Sequence, residues 1–332
     1  MPRPTIEEVA ARAGVSRSTV SRVVNGSTAV SAEALAAVQA AIAELGYAPN
    51  RAARSLASRQ THAIGLVVPE DTTRFFGDPF LASVVAGIGS RLSESEYILN
   101  LLIASDDPDG KMTRFVRNGG VDAAIIVSHH ASDSFVERIA EAVPVVFGGR
   151  PATVRDSDII VDVDNVAAAR AATEHLIAIG RRRIATITGT MSMSVSVDRR
   201  DGFLAALADA GLQPFGEVDG DFSEQGGAEA ARRLLQRDER PDAIFVASDL
   251  MARGAIGVLG SAGLRVPEDV AIIGFDDSPL AEASDLTSVR QPMFTQGEML
   301  GGMVIDLLAG RRPDALTILP TELIVRGSAP AV

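Results

Sequence analysis

Three side chains near the start of the chain have the chemistry that reads base edges in DNA. Arg17, Ser18 and Arg22 lie on the side of a short predicted helix that its valines leave free. An arginine fork pairs with guanine O6 and N7, and a serine hydroxyl can bond to several bases. Such residues at the start of a helix suit the major groove. A three-helix module that packs only against other protein is the alternative.

Capping residues mark the elements that must position these side chains. The predicted helices run to about Ala13, from Arg17 to about Val24, and from Ala32 to Leu45. Thr5-Ile6-Glu7-Glu8 is a capping box, and Gly14 supplies the positive φ that ends the first helix. Ser16 and Ser31 can cap the second and third helices. Two short helices joined by A-x-x-x-G-V predict a helix-turn-helix.

Charge and composition support a DNA-binding segment on a larger acidic protein. Residues 1–60 carry seven arginines against four acidic side chains, whereas the whole chain has a net charge of −12. A basic end on an acidic body can bind an anionic polymer at that end only. The chain has no cysteine, so disulfides, thiolate metal sites and cysteine nucleophiles are excluded. Without an apolar span or signal peptide, we expect a cytoplasmic protein that joins the nucleoid when bound to DNA.

A second basic segment follows the three helices. Asn50 can cap a short helix from Arg51 to Ala57, in which Arg51 and Arg54 suit phosphates. So short a helix is marginal in water and should become ordered only when docked. Leu56 is an apolar residue on this basic helix. It either contacts DNA or packs on the next domain.

The string TIEEVAARAGVSRSTVSRVVNG, followed by LGYAPNRAARSLAS, closely resembles the DNA-binding segment of the LacI/GalR family of bacterial regulators. The resemblance implies a homodimer on a near-palindromic operator, with Arg17, Ser18 and Arg22 reading major-groove edges. It makes residues 48–60 a hinge helix whose Leu56 wedges into the minor groove and bends the duplex. Positioning contacts with phosphates are expected from Thr5, Ser16, Thr19, Ser21, Asn25, Asn50, Arg51 and Arg54.

The remaining chain alternates short apolar runs with amphipathic stretches. The strand-like runs are 63–68, 97–103, 123–128, 144–149, 159–163, 183–189, 243–248 and 269–276, and the helical stretches are 80–94, 164–179, 198–210, 225–237, 249–262 and 294–309. This rhythm predicts a doubly wound α/β fold, repeated twice. The pattern favours a periplasmic-binding-protein-like clamp of two lobes.

The expected domains are a helix-turn-helix at 1–47, the hinge and linker at 48–60, and an effector-binding and dimerisation domain at 61–332. The resemblance implies that the chain crosses between the lobes three times. Lobe one would hold about 61–160 and 292–319, and lobe two about 163–289 and 320–332. The chain stops without a leucine-heptad tail, so a dimer is expected.

Ligands of such a clamp bind at the carboxyl ends of the strands. There Phe76 can stack on a sugar and Asp78 can accept hydroxyls, whereas Phe80 is expected in the core. The resemblance adds Arg199 in R-x-x-G-F and Asp276 in G-F-D-D-S, together with Phe222, Ser248 and Gln291. Asp249 is expected to cap the next helix.

Two local sequences depart from sugar-binding relatives of that family. Gly148-Gly149-Arg150 stands where many have an aspartate after the fourth strand. Arg150 can substitute as a donor, or the glycines can leave room for a longer ligand. The third strand ends in Ser128-His129-His130. A sugar contact by His129 is favoured over a metal site, because the chain has no cysteine and no carboxylate at a ligand-like spacing. A histidine that is merely exposed is the further alternative.

The sequence therefore predicts a ligand-responsive repressor of carbohydrate-utilisation genes, released from its operator by a sugar. A purine- or corepressor-activated repressor is the alternative, followed by a sugar-binding protein that does not bind DNA. Catalysis is not expected, because G-x-S-x-G, P-loop and H-E-x-x-H motifs are missing. Asp78 and Asp276 can imitate the carboxylate pair of a glycosidase. However, a glycosidase does not need a DNA-binding segment. Neither a cofactor nor a metal is predicted.

Overall fold

A computed structural model describes residues 4–24, 29–47, 60–103, 105, 107, 109–331 of the chain. These form two compact units, residues 1–61 and 62–332, which are described separately. The predicted hinge helix, with Asn50, Arg51, Arg54 and Leu56, lies outside the described residues, and so does Asn25.

The N-terminal unit contains α1 (Ile6–Ala13), α2 (Arg17–Val24) and α3 (Ala32–Leu45), with the predicted bounds. The capping box is present: Thr5 Oγ1 accepts from Glu8 N at 3.3 Å, and the Glu8 carboxylate accepts from Thr5 N at 2.7 Å. Gly14 ends α1 with φ 65°. One small apolar core, formed by Val9, Ala10, Val20, Val38 and Ala41, holds the three helices together. The polar side of α2 is therefore left at the surface.

Strands and helices alternate through the second unit. The strands are β1 (Ala63–Val68), β2 (Ile98–Ile103), β3 (Ala123–Val127), β4 (Val145–Gly148), β5 (Ile159–Val163), β6 (Ile184–Thr188), β7 (Gly216–Asp219), β8 (Ala243–Val246), β9 (Ala271–Asp276), β10 (Thr287–Arg290), β11 (Leu316–Leu319) and β12 (Glu322–Ile324). The helices are α4 (Thr72–Gly77), α5 (Pro79–Leu92), α6 (Lys111–Phe115), α7 (Ser134–Ala140), α8 (Asn165–Ala178), α9 (Ser194–Asp209), α10 (Glu224–Leu235), α11 (Asp249–Ser261), α12 (Pro279–Ala283) and α13 (Met293–Leu308). A π-helical turn, Val116–Gly120, follows α6.

The strands form two six-stranded sheets with the same arrangement. The first has the order β2-β1-β3-β4-β5-β11 and the second the order β7-β6-β8-β9-β10-β12. Every pair is parallel except β10 with β12. Each sheet reverses its strand order beside its first strand, and ligand crevices form at such a point. We call each sheet with its helices a lobe.

The chain crosses between the sheets three times, after β5, β10 and β11. Residues beyond β12 also bind the second lobe: Ser328 Oγ donates to the carbonyl of Ile272 at 2.6 Å and accepts from Thr287 N at 2.8 Å. In the first lobe, α13 lies directly on α5, where a Cβ at Gly87 would meet the carbonyl oxygen of Phe294 at 2.0 Å. Each lobe therefore combines distant parts of the sequence.

The helices of the described ranges do not meet the requirements of a membrane span. None of them combines the length and the apolarity that a membrane span requires.

Candidate functional site

A cavity of about 690 Å³ lies between the carboxyl ends of the two sheets. Eight of the residues expected to contact an effector line it: Asp78, His129, Arg150, Arg199, Phe222, Ser248, Asp276 and Gln291. They come from loops and strand ends of both lobes. The topology thus brings the residues into one place although they span more than two hundred positions of the sequence.

The structure corrects the expectation for Phe76, whereas Phe80 packs against the core of the first lobe as expected and also lines the cavity. Phe76 is 74% exposed and is not among the residues that line the cavity, whereas Phe80 lines it. The physical reason is α4, which begins at Thr72 after its cap Asp71. This helix turns Phe75 into the core and Phe76 toward solvent, with the two rings edge to face at 5.0 Å. Phe76 is therefore not a cavity residue.

Arg199 is the buried cation of the cavity, with 4% of its surface exposed. Its Nε donates to Asn165 Oδ1 at 2.9 Å, and NH1 donates to the carbonyl of Ala247 at 2.6 Å. Its guanidinium lies 3.5 Å from the centre of the Phe275 ring, and NH1 is 4.0 Å from Asp276 Oδ1. Burial lowers the pKa of Arg199 to about 10, although nearby carboxylates, led by Asp276, oppose that shift. The arginine therefore stays charged at neutral pH.

Three carboxyl groups share the cavity with this arginine. Burial raises the pKa of Asp78, Asp162 and Asp276, most strongly for Asp276. Asp276 Oδ1 accepts from Gln291 Nε2 at 2.6 Å, and Asp78 Oδ1 accepts from Phe80 N at 2.9 Å. Carboxylate oxygens have more acceptor capacity than these bonds use. Acceptors around one fork-shaped donor suit a ligand with many hydroxyl groups.

An aromatic ring and a second arginine form another wall. Phe222 is buried and packs so closely on Gly189 that a Cβ there would lie 1.9 Å from the ring. The Arg74 guanidinium lies 5.3 Å from the Phe222 ring centre, and its NH1 donates to the carbonyl of Asp221 at 3.1 Å. Arg74 Nε is buried and has no hydrogen-bond partner among the described residues. It is a donor that a bound ligand can satisfy.

Bonds between the lobes close the mouth of the cavity. Arg150 on the first lobe pairs with Asp198 on the second at 2.6 Å. His130 Nδ1 lies 2.8 Å from Ser192 Oγ, and Ala131 N donates to the carbonyl of Ser192 at 2.8 Å. Arg150 therefore both lines the cavity and joins the lobes.

Among the lining residues that sequence reasoning did not assign to the site are Arg74, Phe80, Asp162, Met193, Ser194, Val195 and Gln296. Asp162 had a detectable signal, because it is the only charged residue of the apolar run IIVDV and stands near its carboxyl end. Gln296 had no signal in the sequence. It lies on α13, and this helix reaches the cavity because the chain crosses back to the first lobe after β10. Gln296 Nε2 donates to the carbonyl of Val161 at 3.1 Å.

Ser248, rather than Asp249, caps α11, which corrects the expected role of Asp249. Ser248 Oγ accepts from Met251 N at 3.3 Å. Asp249 is fully buried and instead accepts from Ser278 N at 2.7 Å and from Ser288 Oγ at 2.6 Å. It therefore joins α11 to β10 and to the loop after β9. Burial raises the pKa of Asp249 to about 6.

This raised pKa predicts a pH dependence of stability. Because the folded pKa of Asp249 lies above its ordinary value of 3.8, the stabilising contribution of its protonated form is lost as pH rises through about 6. Between pH 7.5 and 5.5 we expect the wild type to gain about 1 kcal/mol relative to Asp249→Asn. Melting temperatures of both full-length proteins across this range measure the difference. Parallel pH profiles would contradict the assignment.

His129 lines the cavity as a neutral side chain. Burial lowers its pKa, and its Nε2 donates to the carbonyl of Gly149 at 3.2 Å. No group of three histidine, cysteine or carboxylate side chains able to hold a metal ion occurs in the described ranges.

The polar side of α2 is the candidate nucleic-acid surface. Arg17, Ser18 and Arg22 are exposed, as expected for side chains that reach base edges. Ser16 Oγ accepts from Thr19 N at 3.2 Å and lies 2.8 Å from Ser18 Oγ, so it fixes the first turn of the helix. Arg17 Nε lies 3.2 Å from Glu7, which holds the arginine beside α1. Thr5 is exposed at the start of α1, while Thr19 and Ser21 are half-buried.

Comparisons with known proteins cover both units. Residues 5–50 match the bacterial regulatory proteins of the lacI family, and residues 173–329 match the periplasmic binding protein-like domain. The chain is 43% identical to the HTH-type transcriptional regulator CelR of Thermobifida fusca over 335 residues, which cover 98% of each protein.

Two solved structures are similar over nearly the whole chain. A complex of the transcriptional regulator CelR with cellobiose has a TM-score of 0.77 and 40% identity, covering 98% of this chain and 100% of the other. A lac repressor dimer bound to operator and the anti-inducer ONPF has a TM-score of 0.86 and 29% identity, covering 99% and 100%.

Proposed function

Because the chain belongs to the lacI family of bacterial regulatory proteins, we propose that it represses carbohydrate-utilisation genes and leaves its operator when a sugar binds. The cavity carries this proposal: the carboxyl groups of three aspartates line it together with the buried Arg199 and the ring of Phe222. Sugar hydroxyls donate to carboxylates and accept from a guanidinium, and both kinds of partner are present. The relatives named above are regulators rather than enzymes, which supports a role without catalysis.

A disaccharide of glucose is the proposed effector. The similar CelR structure holds cellobiose, which supports a β-linked glucose disaccharide here. Asp78, Asp162 and Asp276 supply acceptors for its hydroxyls, and Arg199 and Arg150 supply donors.

Effector binding and DNA release are linked through closure of the lobes. A sugar can shift the equilibrium only by preferring the state with low operator affinity. In our proposal the sugar bridges the lobes beside the Arg150–Asp198 pair and stabilises their closed arrangement. A homodimer then presents two α2 helices to a near-palindromic operator, and closure changes their spacing. Leu56 would wedge into the minor groove at the operator centre.

The proposal is tested with the full-length protein and an operator duplex selected from a randomised library. Cellobiose, glucose and ribose are screened by thermal shift, beside adenine and guanine. A ligand at 100 times its Kd stabilises by about 2.7 kcal/mol, which gives a measurable shift. We expect cellobiose to raise the melting temperature and to release the fluorescent operator. A shift with a purine alone, accompanied by tighter operator binding, would overturn the proposal in favour of a corepressor.

Asp276→Ala tests the placement of the effector site. This substitution removes a buried acceptor opposite Arg199, so we expect cellobiose to lose its effect on operator binding. Operator affinity without sugar should stay within about twofold, because the mutation lies in the clamp rather than in the DNA-reading unit. The control Asp201→Ala removes an exposed aspartate of the same lobe and should respond like the wild type. Full release of Asp276→Ala by cellobiose would place the site elsewhere.

A further inference from the structure

A second cavity, of about 530 Å³, lies within the first lobe. It is open to solvent and is lined by the loop after β3, by α7 and by the connection from β4 to β5. Phe147 and Val136 give it an apolar floor, and Glu137, Arg155 and Asp158 provide polar groups. Glu137 lies 3.5 Å from Arg155, and Asp158 accepts from the Arg155 backbone N–H at 2.8 Å. The mechanism of effector release uses none of these groups.

Among the described residues, His129 is the one that lines both this second cavity and the cavity between the lobes, so it lies at their border. Its hydrogen bond to the Gly149 carbonyl is the only one that the described residues give its ring. The ring also meets Phe147 edge to face, with centroids 5.7 Å apart. Opposite it, Gly149 has φ +92°, and a Cβ there would meet no atom within 4 Å. A neutral ring held by one backbone bond, beside a residue without a side chain, forms a thin partition.

We propose that His129 sets the length of the effector, and that the second cavity is a subsite for a third glycosyl unit when this ring is absent or turned aside. The inference rests on the proposed function, because it extends the sugar site described above. The second cavity suits a neutral sugar rather than an anion, since Asp133, Glu137 and Asp158 outnumber Arg155 and His129 is neutral. The carboxylates of Glu137 and Asp158 have more acceptor capacity than their contacts with Arg155 use.

In this proposal the volume of the His129 side chain blocks the second cavity. Variants that change this volume therefore test the proposal. His129→Ala removes the ring and joins the cavities. His129→Phe keeps a ring of similar size and removes only the hydrogen bond to Gly149. Ala140→Leu, at the end of α7, enlarges a half-buried residue that lines the second cavity. Placed in the His129→Ala background, it refills the space.

Isothermal titration of the full-length proteins with cellobiose, cellotriose and cellotetraose tests the inference. We expect His129→Ala to raise the affinity ratio of cellotriose to cellobiose about tenfold, the effect of one or two added hydrogen bonds. His129→Phe should leave the ratio within about twofold of wild type, and Ala140→Leu should cancel the gain of His129→Ala. His129→Ser replaces the alanine variant if that variant does not fold.

Two failures are distinguishable. If the wild type binds cellobiose but His129→Ala leaves the ratio unchanged, the partition is overturned and the sugar site stands. The same holds if His129→Phe gains as much as His129→Ala, or if Ala140→Leu leaves the gain intact. If the wild type binds no saccharide, the proposed function is overturned and this inference with it.

Discussion

Arg199→Ala is expected to abolish effector binding and to lower the free energy of unfolding by about 3–5 kcal/mol. The guanidinium is buried and offsets the charge of the carboxylates around it. Asp276 has the strongest electrostatic interaction with it among these carboxylates. Removing it leaves Asn165 and the Ala247 carbonyl without their donor and the carboxylates without a cation. Breaking a buried pair from one side strands the other charge, which explains the size of the effect.

Chemical denaturation and sugar titration of the full-length protein measure both consequences. Arg200→Ala is the matched control, because it removes the neighbouring arginine from the same helix. Arg200 is partly exposed and pairs with Glu217 away from the cavity, so we expect a loss below about 1 kcal/mol and normal sugar binding. Equal stability losses in the two variants would argue against Arg199 as the electrostatic centre of the cleft.

Arg22→Ala is expected to weaken binding to the selected operator about 10- to 100-fold, the value of one bidentate arginine–guanine contact. Arg22 is exposed on α2, while the valine side of this helix, led by Val20, forms the core. The substitution should therefore leave the helices folded. Binding to a scrambled duplex should fall only slightly, since one positive charge is lost.

Arg12→Ala removes the same charge from a different surface and serves as the control. Arg12 pairs with Glu44 at 2.6 Å, at the end of α1 rather than on α2. Fluorescence anisotropy at fixed salt gives the affinity ratio of operator to scrambled duplex for each variant. We expect the ratio to fall for Arg22→Ala and to hold for Arg12→Ala. An unchanged ratio in Arg22→Ala would remove this side chain from base readout.

Local signals made the three helices of the N-terminal unit predictable. A capping box, a positive-φ glycine and serine caps depend on a few neighbouring residues, so α1, α2 and α3 have the expected bounds. The long apolar runs likewise gave β1 and β5 their full extent. Short polar strands such as β7 and β10 were not predicted, because their extended conformation depends on pairing with strands that are distant in sequence.

Site residues were predictable where the side chain lies at the end of a strand. They were unpredictable where contacts with distant parts of the chain determine the position of the side chain. Asp276 follows such a rule, since it ends β9 at the carboxyl edge of the second sheet. Phe76 was placed wrongly because the short α4 turns its side chain to solvent. Gln296 comes from a helix that follows β10 in sequence but belongs to the other lobe. No local pattern distinguishes such a residue.

The three crossings between the sheets also order events during synthesis. The first lobe needs α13 and β11, and the second needs β12 and the bonds of Ser328. The first lobe is therefore incomplete until residue 319 has been synthesised, and the second until Ser328 has been. The α1–α3 unit, built from one continuous segment, has all of its core residues far earlier. A nascent chain therefore acquires its DNA-reading surface well before it has a cleft in which to sense a sugar.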